Sequence, residues 1–240
     1  MDDRKPSRRD RLRAATAQEI KAVALNLMAT GGPDAITLRA IAREMGMTAG
    51  AIYGYYATRD DLITTLIADV YTSYVEAAEA AVAKLPEDDA VGRVLTWADA
   101  FRTWSVSNPE GFRLIYGDPV PGYQEPEGGP AADAEHRACA GLTALVAAAW
   151  PHAEPLHSAN GDEPDYAWDD FHPQLTDELR RTFPQLPPAG VALAMRVWGR
   201  MHGLVSLEVY GHLRNQTRDP AKLYRTEMRD LVRSLGLRPY

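Results

Sequence analysis

The chain is poor in cysteine, in strand-forming sequence and in long apolar runs. A single cysteine, Cys139, occurs in 240 residues, which excludes an internal disulfide framework and any paired-thiol metal or redox motif. No apolar stretch reaches the roughly 18 residues that a membrane-spanning helix needs. The start, Met1-Asp2-Asp3-Arg4-Lys5-Pro6, is charged where a secretory leader would be apolar. A cytoplasmic protein with no membrane partner is therefore expected. The signatures GxSxG, GxGxxG, HExxH and the phosphate-binding P-loop are all missing. Histidines 136, 152, 157, 172, 202 and 212 are scattered, without ligand spacing. No catalytic residues, metal site or cofactor are expected, and the chain does not read as an enzyme. Nowhere does Val, Ile, Thr or an aromatic alternate with polar residues between turn signals, so the fold class expected is all-α.

What is present is unevenly placed. The net charge of -7 divides into ten Lys/Arg against seven Asp/Glu over residues 1 to 60, and sixteen against twenty-six over the remainder. Six of the early bases, Arg4, Lys5, Arg8, Arg9, Arg11 and Arg13, fall in the first thirteen residues. A basic head precedes an acidic body, and the basic start reads either as a solvated tail or as a nucleic-acid-binding arm.

Helical periodicity recurs throughout. Leu12, Ala15, Ile20, Val23, Ala24, Leu27 and Met28 make Arg11 to Thr30 an amphipathic helix, ended by Gly31-Gly32-Pro33. Thr37 caps a short helix reaching about Met45, Thr48 a shorter one reaching about Tyr55, and Thr58 a long one from Arg59 to about Leu85. Further helices are expected at Asp88 to Ser107, Ala131 to Trp150, Gln174 to Thr182, Pro188 to Leu213 and Pro220 to Leu235, with a turn over Pro109 to Tyr116. That makes nine or ten helices in all. Segments 117–130 and 151–173 are rich in proline and glycine or in polar residues, and read as mobile loops. In the second, Tyr166, Trp168 and Phe171 are candidate anchors.

The central motif spans Thr37 to Tyr56. Leu38, Ile41, Ala42 and Met45 form one apolar face, Gly46 allows a tight turn, and Met47 and Ile52 continue the apolar contact. Two helices this short need a third to pack on, and Arg11 to Thr30 supplies it. This is a helix-turn-helix with its supporting helix. The second helix starts with small side chains, Thr48, Ala49, Gly50 and Ala51, which let its backbone approach a major groove. The pattern Thr-x-x-x-Ile-Ala-x-x-x-Gly-x-Thr-x-Gly-x-Ile-Tyr-x-Tyr-Tyr-x-x-Arg-x-x-Leu, from Thr37 to Leu62, resembles the DNA-binding head of the tetracycline-repressor (TetR) family. Tyr56 stands where that pattern commonly has phenylalanine, and Arg59 where it commonly has lysine.

The resemblance implies a three-helix DNA-binding domain with its N-terminal arm over 1–58, and a helical ligand-binding and dimerisation domain over 59–240. It implies phosphate contacts from Thr37, Tyr53, Tyr55 and Arg59, a phosphate or guanine contact from Arg39, and groove reading by Thr48, Ala49, Gly50 and Ala51. Partners implied are double-stranded DNA carrying a palindromic operator, a second copy of the chain, and a small hydrophobic or aromatic effector. The function that the resemblance implies is that of a homodimeric transcriptional repressor released from its operator by that effector; a ligand-independent regulator or an activator is the other reading. Gly199, Gly203 and Leu207 are the candidate dimer contacts, although the glycines also suit close packing within one chain. Trp198, His202 and Gly203 resemble the Trp-His-Gly branch of the family. Trp97, Phe101, Trp104, Tyr116, Trp198 and His202 are candidates for an effector pocket, or else plain aromatic core.

Overall fold

The structure is a computed structural model that describes residues 7–126, 128–158 and 166–238. Among these residues are ten α-helices, two short 3-10 turns and no strand. In chain order the helices are α1 (Arg8–Gly31), α2 (Leu38–Glu44), α3 (Ala49–Tyr53), α4 (Arg59–Val82), α5 (Ala90–Ser107), α6 (Pro109–Tyr116), α7 (Pro130–Ser158), α8 (Pro173–Thr182), α9 (Pro188–Val209) and α10 (Pro220–Ser234). They pack as two units, Met1–Tyr71 with Asn108–Glu135, and Thr72–Ser107 with His136–Tyr240. The division falls within α4 rather than before it. It also assigns α6 and the segment after it to the head, where the sequence placed the boundary at residue 58.

In the first unit the short helices are set by their caps. The Thr37 hydroxyl accepts from the Ala40 N–H at 3.1 Å, the Thr48 hydroxyl from Ala51 at 3.2 Å, and the Thr58 hydroxyl from Asp61 at 3.0 Å. Each satisfies an N–H that the first turn of a helix leaves without a partner. Ile20 and Ala24 of α1, Ile41 of α2, Ile52 of α3 and Leu62 of α4 are fully buried and make the core. An ion pair joins Lys21 of α1 to Asp69 of α4.

The second unit is built on α5, α9 and α10, which pack on one another. The Tyr224 hydroxyl donates to the Ala98 carbonyl at 3.0 Å, and both atoms are buried. Arg102 holds Glu208 through two hydrogen bonds of 2.9 and 2.6 Å, a fork geometry that fixes α5 against α9. Tyr74 stands edge-on to Trp97 and Phe101, with ring centroids 6.1 and 5.3 Å away, and lies 5.6 Å from Trp104. Burial pushes the Tyr74 phenol well above its usual range.

One helix departs from the sequence expectation. α7 does not stop at Trp150 but runs on through Pro151 and Pro155 to Ser158. A proline inside a helix costs about 3 kcal/mol, and contacts made beyond it offset that cost. Ala153 is fully buried, Trp150 stacks on His157, and His157 Nε2 lies 3.1 Å from the Ser234 carbonyl oxygen. Expected anchors also meet: Tyr166 stacks on Phe171, Trp168 meets Phe171 edge-on, and the Arg180 guanidinium lies 4.6 Å from the Trp168 ring.

Gly141 tests this packing by sign. A methyl added there stands 2.3 Å from the far edge of the buried Trp97 indole, which Tyr74 already hems in. Helix propensity alone makes Gly141→Ala stabilising by about 1 kcal/mol, whereas overpacking costs about 1–3 kcal/mol. We expect a lower urea midpoint; a raised midpoint would contradict the close fit.

Candidate nucleic-acid interface

The turn between α2 and α3 places the interface. Gly46 takes a left-handed backbone, φ +64°, which a side chain disfavours. The N–H of Met47 donates back to Ala42 at 2.8 Å and that of Gly46 to Arg43 at 3.2 Å, which closes α2 and redirects the chain into α3. Ile52 faces the core with no exposure, so the opposite side of α3 faces outward. There Thr48 and Gly50 are exposed, Ala49 and Ala51 are half-buried, and Tyr53 is 50% exposed. On α2, Thr37, Arg39 and Arg43 are exposed as well. A threonine hydroxyl that accepts from its own helix still has a proton to donate to a phosphate oxygen. Capping and groove contact are therefore compatible at Thr37 and Thr48.

Tyr55 does not stand out from this surface as Tyr53 does. Its half-buried ring lies under Arg13, whose guanidinium carbon is 4.8 Å from the ring centroid. Arg13 Nη2 also donates to the Gly54 carbonyl at 2.7 Å, so α1 grips the end of α3. Tyr56 sits in the head's core.

Arg59 departs further from expectation. Its Nε donates to the Ile36 carbonyl at 2.7 Å, Nη1 to Pro121 at 2.9 Å and Nη2 to Pro33 at 3.3 Å. A half-buried side chain held by three carbonyls is not displayed as a phosphate clamp. The loop that it holds is itself anchored: Val120 is buried, and the Tyr123 hydroxyl lies 3.0 Å from that of Thr64. The mobile loop expected at 117–130 is thus pinned over its first half.

The basic start changes character too. α1 begins at Arg8, with Ser7 and Asp10 forming a reciprocal cap: the Asp10 N–H donates to the Ser7 hydroxyl and the Ser7 N–H to the Asp10 carboxylate. The Ser7 hydroxyl, which donates to the Asp10 carboxylate at 2.7 Å, and then the Ser7 N–H hold that carboxyl below its ordinary pKa. Arg8, Arg9, Arg11 and Arg13 therefore ride on a helix and not on a flexible arm, while Arg4 and Lys5 lie outside the described residues. Sequence reasoning missed Arg43, whose exposure follows from its place opposite the Ile41–Ala42 face. It also missed the Arg13–Tyr55 contact, for which no sequence signal exists.

The candidate effector residues do not gather in one place. Trp97, Phe101 and Trp104 are buried among themselves and Tyr74, and the Trp104 indole N–H donates to the Ser73 hydroxyl at 3.1 Å. Tyr116 falls in the first unit, against Tyr71 and Phe112. Trp198 is 47% exposed. His202 lies between Phe101 and Trp198, with ring centroids 6.3 and 5.2 Å away, and its Nδ1 is 3.2 Å from the Ser206 hydroxyl. Burial lowers its pKa. The outward face of α9 carries Met195, Trp198 and Leu207, all exposed, together with the exposed Arg196, and Tyr210 just past the end of the helix is exposed as well. Beside Gly199 and Gly203 there is open space where a side chain would stand. Among the described residues no group of three or more His, Cys, Asp or Glu could hold a metal ion. No described helix is long and apolar enough to cross a membrane.

Comparisons with known proteins agree with this geometry. Residues 20–66 match the family model described as bacterial regulatory proteins, tetR family, and residues 94–231 match a tetracyclin repressor-like C-terminal domain. The second description does not single out the Trp-His-Gly branch. The HTH-type transcriptional regulator Rv1816 of Mycobacterium tuberculosis is 31% identical over 211 residues, covering 85% of this chain and 86% of its own. Its Mycobacterium bovis counterpart Mb1846 matches equally. Among solved structures, the regulatory protein SCO4313 superposes with a TM-score of 0.71 at 32% identity, covering 95% of this chain and 99% of that one. A tetR-family regulatory protein from Rhodococcus RHA1 shares the fold, with a TM-score of 0.59 at 22% identity and coverage of 93% and 98%.

Tyr53 is the most displayed large side chain of α3, and Tyr53→Ala leaves the buried Ile52 face untouched. A single lost phosphate contact should weaken binding to a selected duplex about tenfold, in line with about 1–1.5 kcal/mol for one hydrogen bond. Unchanged affinity in a gel-shift titration would remove Tyr53 from the interface.

Proposed function

The chain belongs to the tetR family of bacterial regulatory proteins, DNA-binding regulators of transcription, and on that premise we propose that two copies bind a palindromic operator and repress transcription until a small hydrophobic or aromatic effector releases them. The observation that carries this reading is the outward face of α9. Met195, Trp198 and Leu207 are exposed along the helix beside Arg196, with Tyr210 past its end, and Gly199 and Gly203 lie between Trp198 and Leu207 with open space where a side chain would stand. A row of large apolar side chains facing water is the usual mark of a surface that meets another protein. Two glycines one turn apart let a second helix come close. A single helix-turn-helix paired by a two-fold axis reads a half-site twice, so the operator is palindromic.

Thr37, Arg39, Thr48, Ala49, Gly50, Ala51 and Tyr53 make the DNA face in this reading, joined by Arg43. Thr48 donates to a base edge or phosphate, Ala49 and Ala51 touch thymine methyls, and the cations meet phosphates. Tyr55 contributes through the Arg13 contact that steadies the end of α3. Repression rests on the kinship of residues 94–231 with tetracyclin repressor-like domains.

Effector control rests on the aromatic cluster of the second unit: Tyr74, Trp97, Phe101 and Trp104, with the His202 ring against Phe101. A planar apolar compound is the ligand class such rings would accept. The same cluster favours the other reading as well. Trp97 and Phe101 are only 3% and 2% exposed, which is what a ligand-independent regulator with a closed core would have. Tryptophan fluorescence titrated with planar compounds, read beside operator release, separates the two. Quenching coupled to release supports effector control, and quenching without release does not.

The glycines supply the test of pairing. Within one chain, Gly199→Ala and Gly203→Ala meet open space and gain about 1 kcal/mol of helix propensity each. If α9 meets its copy at close range, the two methyls hold the helices apart. We expect the double variant to dimerise at least tenfold more weakly in sedimentation equilibrium and to lose operator affinity in step. Self-association unchanged or strengthened, with a raised thermal midpoint, would contradict a glycine-lined pairing face.

A further inference from the structure

We propose that Arg59 is a positioning residue and not a phosphate contact: its guanidinium straps the loop over residues 117–123 to the backbone that enters α2, and the intact strap sets how well the helix-turn-helix fits its operator. The proposal rests on the DNA-binding reading and adds to it a device for holding the head.

Nε, Nη1 and Nη2 each serve a different carbonyl, those of Ile36, Pro121 and Pro33 at 2.7, 2.9 and 3.3 Å. Ile36 immediately precedes Thr37, the cap of α2, and Pro33 opens the 3-10 turn that leads there. One side chain thus fixes where α2 begins. Its third carbonyl belongs to a loop seated by the buried Val120 and by the hydroxyl contact between Tyr123 and Thr64 of α4. The same loop follows α6, which packs on α1. So α1, α4 and α6 all bear on the entry to α2 through a single guanidinium.

Three separate carbonyls explain why arginine stands where the resembling pattern commonly has lysine. A planar fork presents spaced donors in fixed directions, whereas an ammonium is one nitrogen that cannot stand at all three places. As a point charge for a phosphate, lysine would serve nearly as well. The two roles therefore predict opposite outcomes for Arg59→Lys.

The test uses the full-length chain, a short duplex that it selects from a random-sequence library, and sheared genomic DNA as the non-specific probe. With a strap, Arg59→Lys and Arg59→Met both bind the selected duplex about tenfold more weakly. Affinity for genomic DNA is kept, and the salt slope of Arg59→Met is unchanged. Tyr123→Phe, which removes only a hydroxyl, weakens selected binding in the same direction and adds little on top of Arg59→Met, as expected of two parts of one connection. Loss of fold alone would lower both affinities together and would not change their ratio. A wild-type affinity for Arg59→Lys overturns the proposal, as does a salt slope reduced by about 0.9 in Arg59→Met, the signature of a lost phosphate contact. A silent Tyr123→Phe overturns the part given to the loop. Amide hydrogen exchange over residues 34–40 in the DNA-free chain gives an independent readout: the strap predicts faster exchange in Arg59→Lys, and unchanged exchange overturns it. A wild-type chain that selects no sequence would count against the operator reading, and the exchange measurement would still decide the strap.

Discussion

Helices of seven and five residues have little stability of their own in water, and the rest of the first unit exists to hold two of them in place. Ile41 and Ile52 contribute the apolar side, buried completely beside Ile20 and Ala24 of α1. Thr37 and Thr48 close the N-termini, and Gly46 sets the angle between the helices. Because one side of α3 is committed to the core, its small residues and Tyr53 have only the outside to occupy. The surface proposed to face DNA is thus a consequence of burial. Arg13 at the far end of α3 and Arg59 at the near end of α2 then fix by hydrogen bonds what the short apolar contacts leave loose.

Much of this was legible in residue types. Threonines 37, 48 and 58 mark helix starts because their hydroxyls satisfy backbone donors locally, and a local rule needs no tertiary knowledge. The missing strand pattern and the helical periodicity gave the all-α class. Long-range contacts were not legible. Pro151 signals a helix end by every local rule, and only the burial of Ala153 and the contact of His157 with Ser234 carry α7 past it. The family resemblance implies a phosphate contact at Arg59, whereas its partners come from residues 33, 36 and 121, which no spacing rule connects. Tyr116 was grouped with Trp97 by residue type, although packing assigns it to the other unit. The Ser7 and Asp10 capping box is a local signal in the sequence, and it starts α1 three residues before the apolar periodicity alone indicates.

The early bases are a local feature of the first unit, whose other residues are mostly acidic where charged: four arginines ride on the first turns of α1. Cations at a helix N-terminus oppose its dipole, and the Ser7–Asp10 cap offsets part of that penalty. On the second unit, the exposed row on α9 is the counterpart of the small-residue face of α3: the row is proposed to meet a second copy and the face to meet DNA.

The central claim is that α3 enters a major groove, once from each of two paired chains. Dimethyl sulfate footprinting of guanine N7 on a selected duplex tests this directly, because N7 lies in the major groove. The account predicts protection in two symmetric patches whose centres lie about one helical turn, roughly 34–36 Å, or a multiple of that apart. A footprint with no guanine N7 protected within the bound region, or with a single patch, would contradict it.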